Sequence, residues 1–339
     1  MSPGNSTTSI TPCHIEGIPA YRIENPKLSL AVIPELGGKI VSLQSNALQT
    51  EWLWKSDRTP YQKAELDHSY TQQHDTGGID ECFPSVDACQ LPKSAGAYAG
   101  LSLPDHGELY GRPWEVTTCA VGQDHWATLT LKRHCTTLPC EFERTLLVAP
   151  REGLIEFQYR IRNHSDSHVP FSWCMHPALR IEPGMRLRLP VNHQLHCSFA
   201  SDDAPLSTGD IFPWPTTASG FDLSTIPDQH PSQGFAAKLL SHRDFFDCRQ
   251  QNEMAVIGLE NPSTGETLCF ELPPSEIPQI ALWLNYHGWA GDGGIPYFNL
   301  VLEPAIGNAD SLSTLFQRNT APSIAPSATR AWSFKLRLT

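Results

Sequence analysis

Between Leu154 and Arg162 the chain alternates without a break. Ile155, Phe157, Tyr159 and Ile161 fall on one face, and Glu156, Gln158, Arg160 and Arg162 on the other. Strand side chains alternate with a period of two, and one dry face opposite one wet face is the mark of an antiparallel sheet. A helix would scatter these residues around its whole circumference. The same pattern closes the chain over 330–339, with Trp332, Phe334, Leu336 and Leu338 opposite Ser333, Lys335 and Arg337. Alternation recurs over 126–148. The runs 255–259 and 267–272, joined through Asn261-Pro262-Ser263-Thr264-Gly265, read as a hairpin. Two strand-like pieces between Tyr21 and Leu43 flank Pro34 and Gly37-Gly38 and read as another.

These runs predict an all-β chain, a large antiparallel β-sandwich. With 29 Pro and 23 Gly, turns are favoured over long helices. Neither βαβ alternation nor an internal repeat is visible. A length of 339 residues allows two domains, but all-β sandwiches run this long as one. The expected organisation is a loose tail over 1–12 and one domain over 13–339. Long loops are expected at 55–76 and 200–234. Asn163-His164-Ser165-Asp166 is a turn signal, and 169–176 reads as the strand returning from it. Asp310-Ser311 predicts the cap of one short helix, 312–318.

Charge and cysteine usage remove whole classes of function. The formal net charge is −12, and no basic cluster offsets it, so phosphate backbones would be repelled and no nucleic-acid partner is expected. No apolar run is long enough to span a membrane. Residues 1–11 lack the charged and apolar blocks of a signal peptide, so the reading is a cytoplasmic protein. The ten Cys are scattered and none forms C-x-x-C. Reduced thiols are expected, with neither a disulfide framework nor a metal site.

Chemistry-bearing residues stand out in four stretches. In Leu300-Val301-Leu302-Glu303-Pro304-Ala305-Ile306-Gly307 a carboxylate sits inside an apolar strand, where a charge is costly unless paired or used. Asn299, Val301 and Glu303 share the face opposite Phe298, Leu300 and Leu302. His176 ends the 169–176 run just before Pro177, on its less apolar face. His106-Gly107, Arg112 and Trp114 supply an imidazole, a multidentate donor and an aromatic plane, the parts of a sugar site. Gly77-Gly78-Ile79-Asp80-Glu81-Cys82-Phe83-Pro84 reads as an irregular functional loop bearing Asp80 and Glu81. Trp52, Trp54, Trp283 and Trp289 are assigned to the core.

The ordered set His106-Gly107…Arg112…Trp114, His176-Pro177 and Leu302-Glu303-Pro304 resembles the galactose mutarotase-like superfamily, the aldose 1-epimerases and hexose-6-phosphate 1-epimerases. The resemblance runs from about Gly37 to the terminal strand. It implies a sugar site on the concave face of one sandwich, with Glu303 as general base, His176 as general acid and His106 as a second imidazole near the ring oxygen. The family usually places an Arg before its His-Gly motif; here Asp80 and Glu81 stand there, and Arg112 is the substitute. For the family's substrate-binding Asp, Asp244 and Asp247 are equal candidates.

The implied reaction is anomer exchange. A base takes the proton of the C1 hydroxyl while an acid protonates the ring oxygen; C1–C2 rotates and the ring recloses. A nearby carboxylate is expected to keep the acidic His charged. This asks for no metal and no cofactor. The expected partner is a small-molecule sugar, bound by a monomer or homodimer. Acidic Asp80 and Glu81 favour a free aldose over a sugar phosphate. The alternatives are a hexose-6-phosphate 1-epimerase, a non-catalytic carbohydrate-binding protein, and a glycoside-cleaving enzyme with Asp80 or Glu81 facing Glu303.

Overall fold

The computed structural model describes residues 8–56, 59–65, 69–228, 230–243, 254–291 and 294–339. Among them lie a twelve-stranded and an eight-stranded sheet. The middle of the larger one runs, neighbour to neighbour, through Lys39–Ser45, Ile79–Cys82, Trp173–Arg180, Phe298–Ile306, Gln279–Tyr286, Phe235–Ser241 and Gln194–Ala200. These ladders are antiparallel. The smaller sheet is centred on Leu154–Asn163, between Cys140–Val148 and Thr329–Leu338.

The two sheets share one apolar core. The larger contributes Leu282, Leu300 and Leu302, and the smaller Phe142, Phe157 and Phe334. Tyr159 lies almost parallel to Trp332 at 5.3 Å within it. The alternation over 154–163 is realised: Ile155, Phe157, Tyr159 and Ile161 are buried while Gln158, Arg160 and Arg162 are exposed. Burial on one face is what makes such a register unambiguous. Both expected hairpins form, Leu28–Ile33 with Lys39–Ser45 and Ala255–Asn261 with Glu266–Leu272. The short helix spans Leu312–Gln317, though Ser311 makes no side-chain cap bond.

Several expectations are corrected. Residues 9–12 are not a loose tail; they belong to the strand Ser9–Ile15, paired with Ile18–Glu24. The segment around Asp80 and Glu81 is the strand Ile79–Cys82, buried throughout. The 169–176 run does not return beside 154–163. It breaks at Phe171 and Ser172, and Trp173–Arg180 enters the other sheet between Ile79–Cys82 and Phe298–Ile306. Its residues through Leu179 are buried on both faces. That burial suits the middle of a large sheet and not a wet-faced hairpin.

Candidate active site

The core-averted face of the larger sheet carries the chemistry-bearing side chains. Across it, Leu240 faces Ala281, Ala281 faces Glu303, and His176 faces Asp80. His176 lies between the pairs Cys174–Ala305 and Ala178–Val301, hence beside Glu303. One residue pair further along, Phe199, Lys238, Trp283, Val301 and Ala178 form a parallel row. A cleft of about 330 Å³ opens over this floor, lined among others by Tyr70, His106, His176, Lys238, Asn299 and Asp310. That is within the usual range for small-molecule sites.

His106 is delivered by a tight turn. Both His106 and Gly107 have left-handed backbone, with φ of 56° and 77°. A Cβ on residue 107 would lie 2.0 Å from the Phe83 carbonyl oxygen, so only glycine fits there. The turn is tied to the 83–86 segment by His106 N–H to Val86 O and Glu108 N–H to Phe83 O. Asp105 Oδ1 lies 2.7 Å from His106 Nδ1. Burial raises the Asp105 carboxyl, but the hydrogen bond and charge of His106 outweigh it and hold its pKa below the usual range. The ionised Asp105 therefore accepts from Nδ1–H, and Nε2 is left for the cleft.

Tyr70 organises both imidazoles. Its ring stacks on His106 at 4.0 Å and meets His176 edge-on at 5.5 Å. The two imidazole centroids are 5.4 Å apart. The Tyr70 hydroxyl donates to Asp80 Oδ2 at 2.9 Å and lies 3.4 Å from His176 Nδ1. Burial, reinforced by Asp80, pushes the Tyr70 pKa well up, so the hydroxyl keeps its single proton. That proton is committed to Asp80. The oxygen can then only accept from His176, which places hydrogen on Nδ1 and a lone pair on Nε2.

His176 is not held charged by a carboxylate, contrary to expectation. Burial lowers its pKa well below the usual imidazole range, and His106, Lys238 and Lys39 push the same way. Desolvation and like charges both disfavour the cation. At neutral pH the resting His176 is a proton acceptor.

Glu303 is fully buried, and both of its oxygens are taken. Lys238 Nζ lies 2.7 Å from Oε1 and 2.9 Å from Oε2. The same ammonium lies 3.4 Å from Asp310 Oδ1. Burial alone would lower the Lys238 pKa, but Asp310 and Glu303 raise it above the ordinary value. Burial raises the Asp310 carboxyl, with Lys238 opposing. Lys238 and Asp310 line the cleft; Glu303 stands behind them.

The sequence-derived site is thus brought together only in part. His106 and His176 line the cleft, with Glu303 beneath it. Asp80 is buried at its base, bound to Lys39 Nζ at 2.7 Å and to Tyr70. Glu81 points the other way, into the sandwich, where Arg144, Tyr159 and Trp173 donate to it at 2.9, 2.9 and 2.8 Å. Neither carboxylate is offered to a ligand across from Glu303, so the paired carboxylates of a glycoside-cleaving site are not assembled. Trp114 is a core residue whose Nε1 donates to Leu109 O, and Arg144 lies over its ring. Arg112 reaches towards Glu65 at 3.8 Å and does not line the cleft. Asp244 and Asp247 lie outside the described residues.

Sequence reasoning missed Tyr70, Asp105, Lys238, Asn299 and Asp310. A usable signal existed for Lys238: it is the one charge in Phe235–Ser241, Phe-Ala-Ala-Lys-Leu-Leu-Ser. Trp283 and Trp289, assigned to the core, line the cleft, whereas Trp52 is buried as expected. His134, Glu141 and His164 bring ligand atoms within 4.8 Å of one another at one end of the smaller sheet. Lys132 Nζ stands 3.7 Å from the same Glu141 carboxylate, and none of the three lines the cleft.

Comparison with known proteins follows the same lines. No curated protein matches the chain. Among solved structures, the Slr1438 protein of Synechocystis sp. PCC 6803 is 19% identical with a TM-score of 0.65, covering 98% of both chains. A galactose mutarotase-like protein from Lactobacillus casei is 15% identical with a TM-score of 0.61, covering 94% of this chain and 100% of that one. One from Clostridium acetobutylicum is 14% identical with a TM-score of 0.62, covering 98% of both. At such identities the likeness establishes the fold, which is the galactose mutarotase-like sandwich. The profile of the aldose 1-epimerase family matches residues 19–250, more than half of the sequence, and the chain belongs to that family.

Proposed function

We propose that this protein is an aldose 1-epimerase acting on a free, uncharged aldose. The observation that carries the reading is the pair of imidazoles, 5.4 Å apart, above an ammonium held by two carboxylates. In this reading the anomeric edge of the sugar lies between them. Neutral His176 takes the C1 hydroxyl proton through Nε2. His106 gives a proton to the ring oxygen through its own Nε2, and Asp105 stabilises the positive charge that His106 carries before transfer. Lys238 donates a hydrogen bond to the oxygen on which negative charge develops, a fixed dipole aimed at the transition state. Rotation about C1–C2 and the reverse transfers close the other anomer. Glu303 and Asp310 are positioning residues that keep Lys238 charged and in place.

A second reading is favoured by the 3.4 Å spacing of Lys238 from Asp310. Nζ shifts onto Asp310 when sugar binds, and Glu303 becomes the base itself. Glu303→Gln separates the two readings. It abolishes exchange if Glu303 takes the proton and leaves a measurable rate if Glu303 acts through Lys238.

The lining favours a neutral sugar. Among the described residues its one lysine is already held by two carboxylates, no arginine lines it, and Asp87 and Asp310 are acidic. A phosphate calls for a cationic cluster. The test is polarimetry of freshly dissolved anomers of glucose, galactose and their 6-phosphates. Faster relaxation of the free sugars is expected. A strong preference for a phosphate would overturn the substrate assignment, and no acceleration of any sugar would leave a binding protein.

A further inference from the structure

An aromatic wall runs along the cleft beyond the reacting groups. Phe199 meets Trp283 at 5.8 Å, Trp283 meets Trp289 at 5.6 Å, Trp289 meets Tyr297 at 5.9 Å, and Tyr297 meets Trp54 at 4.8 Å. Apart from Trp54 these rings line the cleft. Trp54, Trp283, Trp289 and Tyr297 are half-buried. Tryptophans meant only for the core would be covered. Here they form a row with one edge left open, and Asn285 ties the Trp289 backbone to the floor through Nδ2 and Oδ1.

At the foot of the wall stands Asn299. It is 4% exposed, lines the cleft, and its Oδ1 has no hydrogen-bond partner. A buried amide oxygen left without a donor is costly. A ligand hydroxyl would supply the missing donor. Asn299 and Glu303 lie on the same strand and the same face, four residues apart. At about 3.3 Å per residue they are separated by about 13 Å. His176 stands beside Glu303 at that end and faces the cleft, so a molecule that engages both His176 and Asn299 is longer than one pyranose ring.

We propose that the wall and Asn299 form a second sugar subsite, and that the preferred substrate is a neutral reducing disaccharide. The reducing ring lies over His176 and Lys238. The next ring stacks its C–H face on Trp283 and Trp289 and donates a hydroxyl to Asn299 Oδ1. Ring opening needs a free anomeric hydroxyl, so the second ring is joined through another hydroxyl of the reducing unit. This assignment rests on the ring-opening reading above for the placement of the reducing end.

The test pairs turnover with binding. Anomer exchange is measured by NMR for glucose, galactose, maltose, cellobiose, lactose and 4-galactosylgalactose. Titration calorimetry compares methyl glucoside and methyl galactoside with methyl cellobioside and methyl lactoside, which cannot open. Stacking and one hydrogen bond predict at least about a tenfold higher kcat/KM, and a similarly lower Kd, for the best two-ring ligand. Asn299→Ala and Trp289→Ala should each collapse that ratio by raising KM for the disaccharide. Trp289 is half-buried, so its variant keeps the test open if the Asn299 variant fails to fold. Exchange of monosaccharides with no gain from a second ring, in rate or in Kd, overturns the subsite and leaves the epimerase reading standing. Tighter two-ring binding without exchange of any sugar upholds the subsite and overturns ring opening.

Discussion

Lys238 grips both carboxylate oxygens of Glu303, at 2.7 and 2.9 Å, from two strands away in the larger sheet. Ala281 on the intervening strand leaves room for the lysine stem to cross. The residue that faces the cleft is therefore the ammonium, and the carboxylate is its support.

Removing the ammonium should damage both stability and activity. Lys238→Met leaves the fully buried Glu303 carboxylate without its cation and with the acidic Asp310 nearby, and breaking such a pair costs about 3–5 kcal/mol. Urea denaturation should show that loss. Pairing it with Glu303→Leu should restore most of the stability without restoring exchange. If Lys238→Met exchanges anomers at the wild-type rate, Lys238 has no part in the reaction.

The pH profile reports on His176. Its folded pKa is lowered, by burial first, so the acceptor form persists below the ordinary imidazole value of about 6.5. The limb assigned to His176 should therefore appear only on the acid side of that value. Stability carries the same sign. The unfolded chain binds the proton first, so the contribution of His176 is complete above about pH 6.5 and is lost as pH falls. His176→Asn should cut exchange by about 10²–10⁴-fold and remove that limb. A rate that climbs from neutral towards acid pH in the wild type but not in His176→Asn would instead mark His176 as the acid.

Tyr70→Phe keeps the ring that stacks on His106 but deletes the hydroxyl shared by Asp80 and His176. Losing one such hydrogen bond is worth about 1 kcal/mol, so kcat should fall by somewhat under about tenfold. An unchanged kcat would show that the hydroxyl does not set the His176 tautomer.

Glu81 gives a contrasting case. Burial raises its carboxyl pKa while Arg144 opposes, and all its partners lie in the sandwich interior. Glu81→Leu strands Arg144 and should cost about 3–5 kcal/mol in thermal or urea unfolding. Protein that remains folded should keep the wild-type KM. A selective rise in KM without loss of stability would return Glu81 to the sugar site.

How much of this was legible follows physical lines. The strand faces at 154–163 and 329–338 could be read because period-two burial is local, whereas 298–306 is buried on both faces and its two faces followed from side-chain alternation alone. The turn at His106-Gly107 was not legible, because the steric reason for its glycine is the Phe83 carbonyl, distant in sequence. Beyond the two hairpins the strand partners could not be read: Trp173–Arg180 is buried on both faces through Leu179, and periodicity does not say which sheet will bury it. Asp80 and Glu81 were misplaced because a short buried strand after two glycines looks like a loop in sequence. Once it is a strand, alternation alone sends Asp80 to the cleft side and Glu81 to the core. Lys238 meets Glu303 and Asp310 only through pairing between segments distant in sequence, which no single stretch records.

The central claim is that two imidazoles facing one cleft, His106 from a turn and His176 from the sheet, open and close an aldose ring. Saturation-transfer NMR between the α and β anomers of glucose and of galactose tests it most directly, run on the wild type and on the double variant His106→Asn, His176→Asn. The account predicts exchange that scales with wild-type concentration and a folded double variant at the uncatalysed rate. Exchange by the double variant as fast as the wild type, or none by the wild type with any aldose, would contradict it.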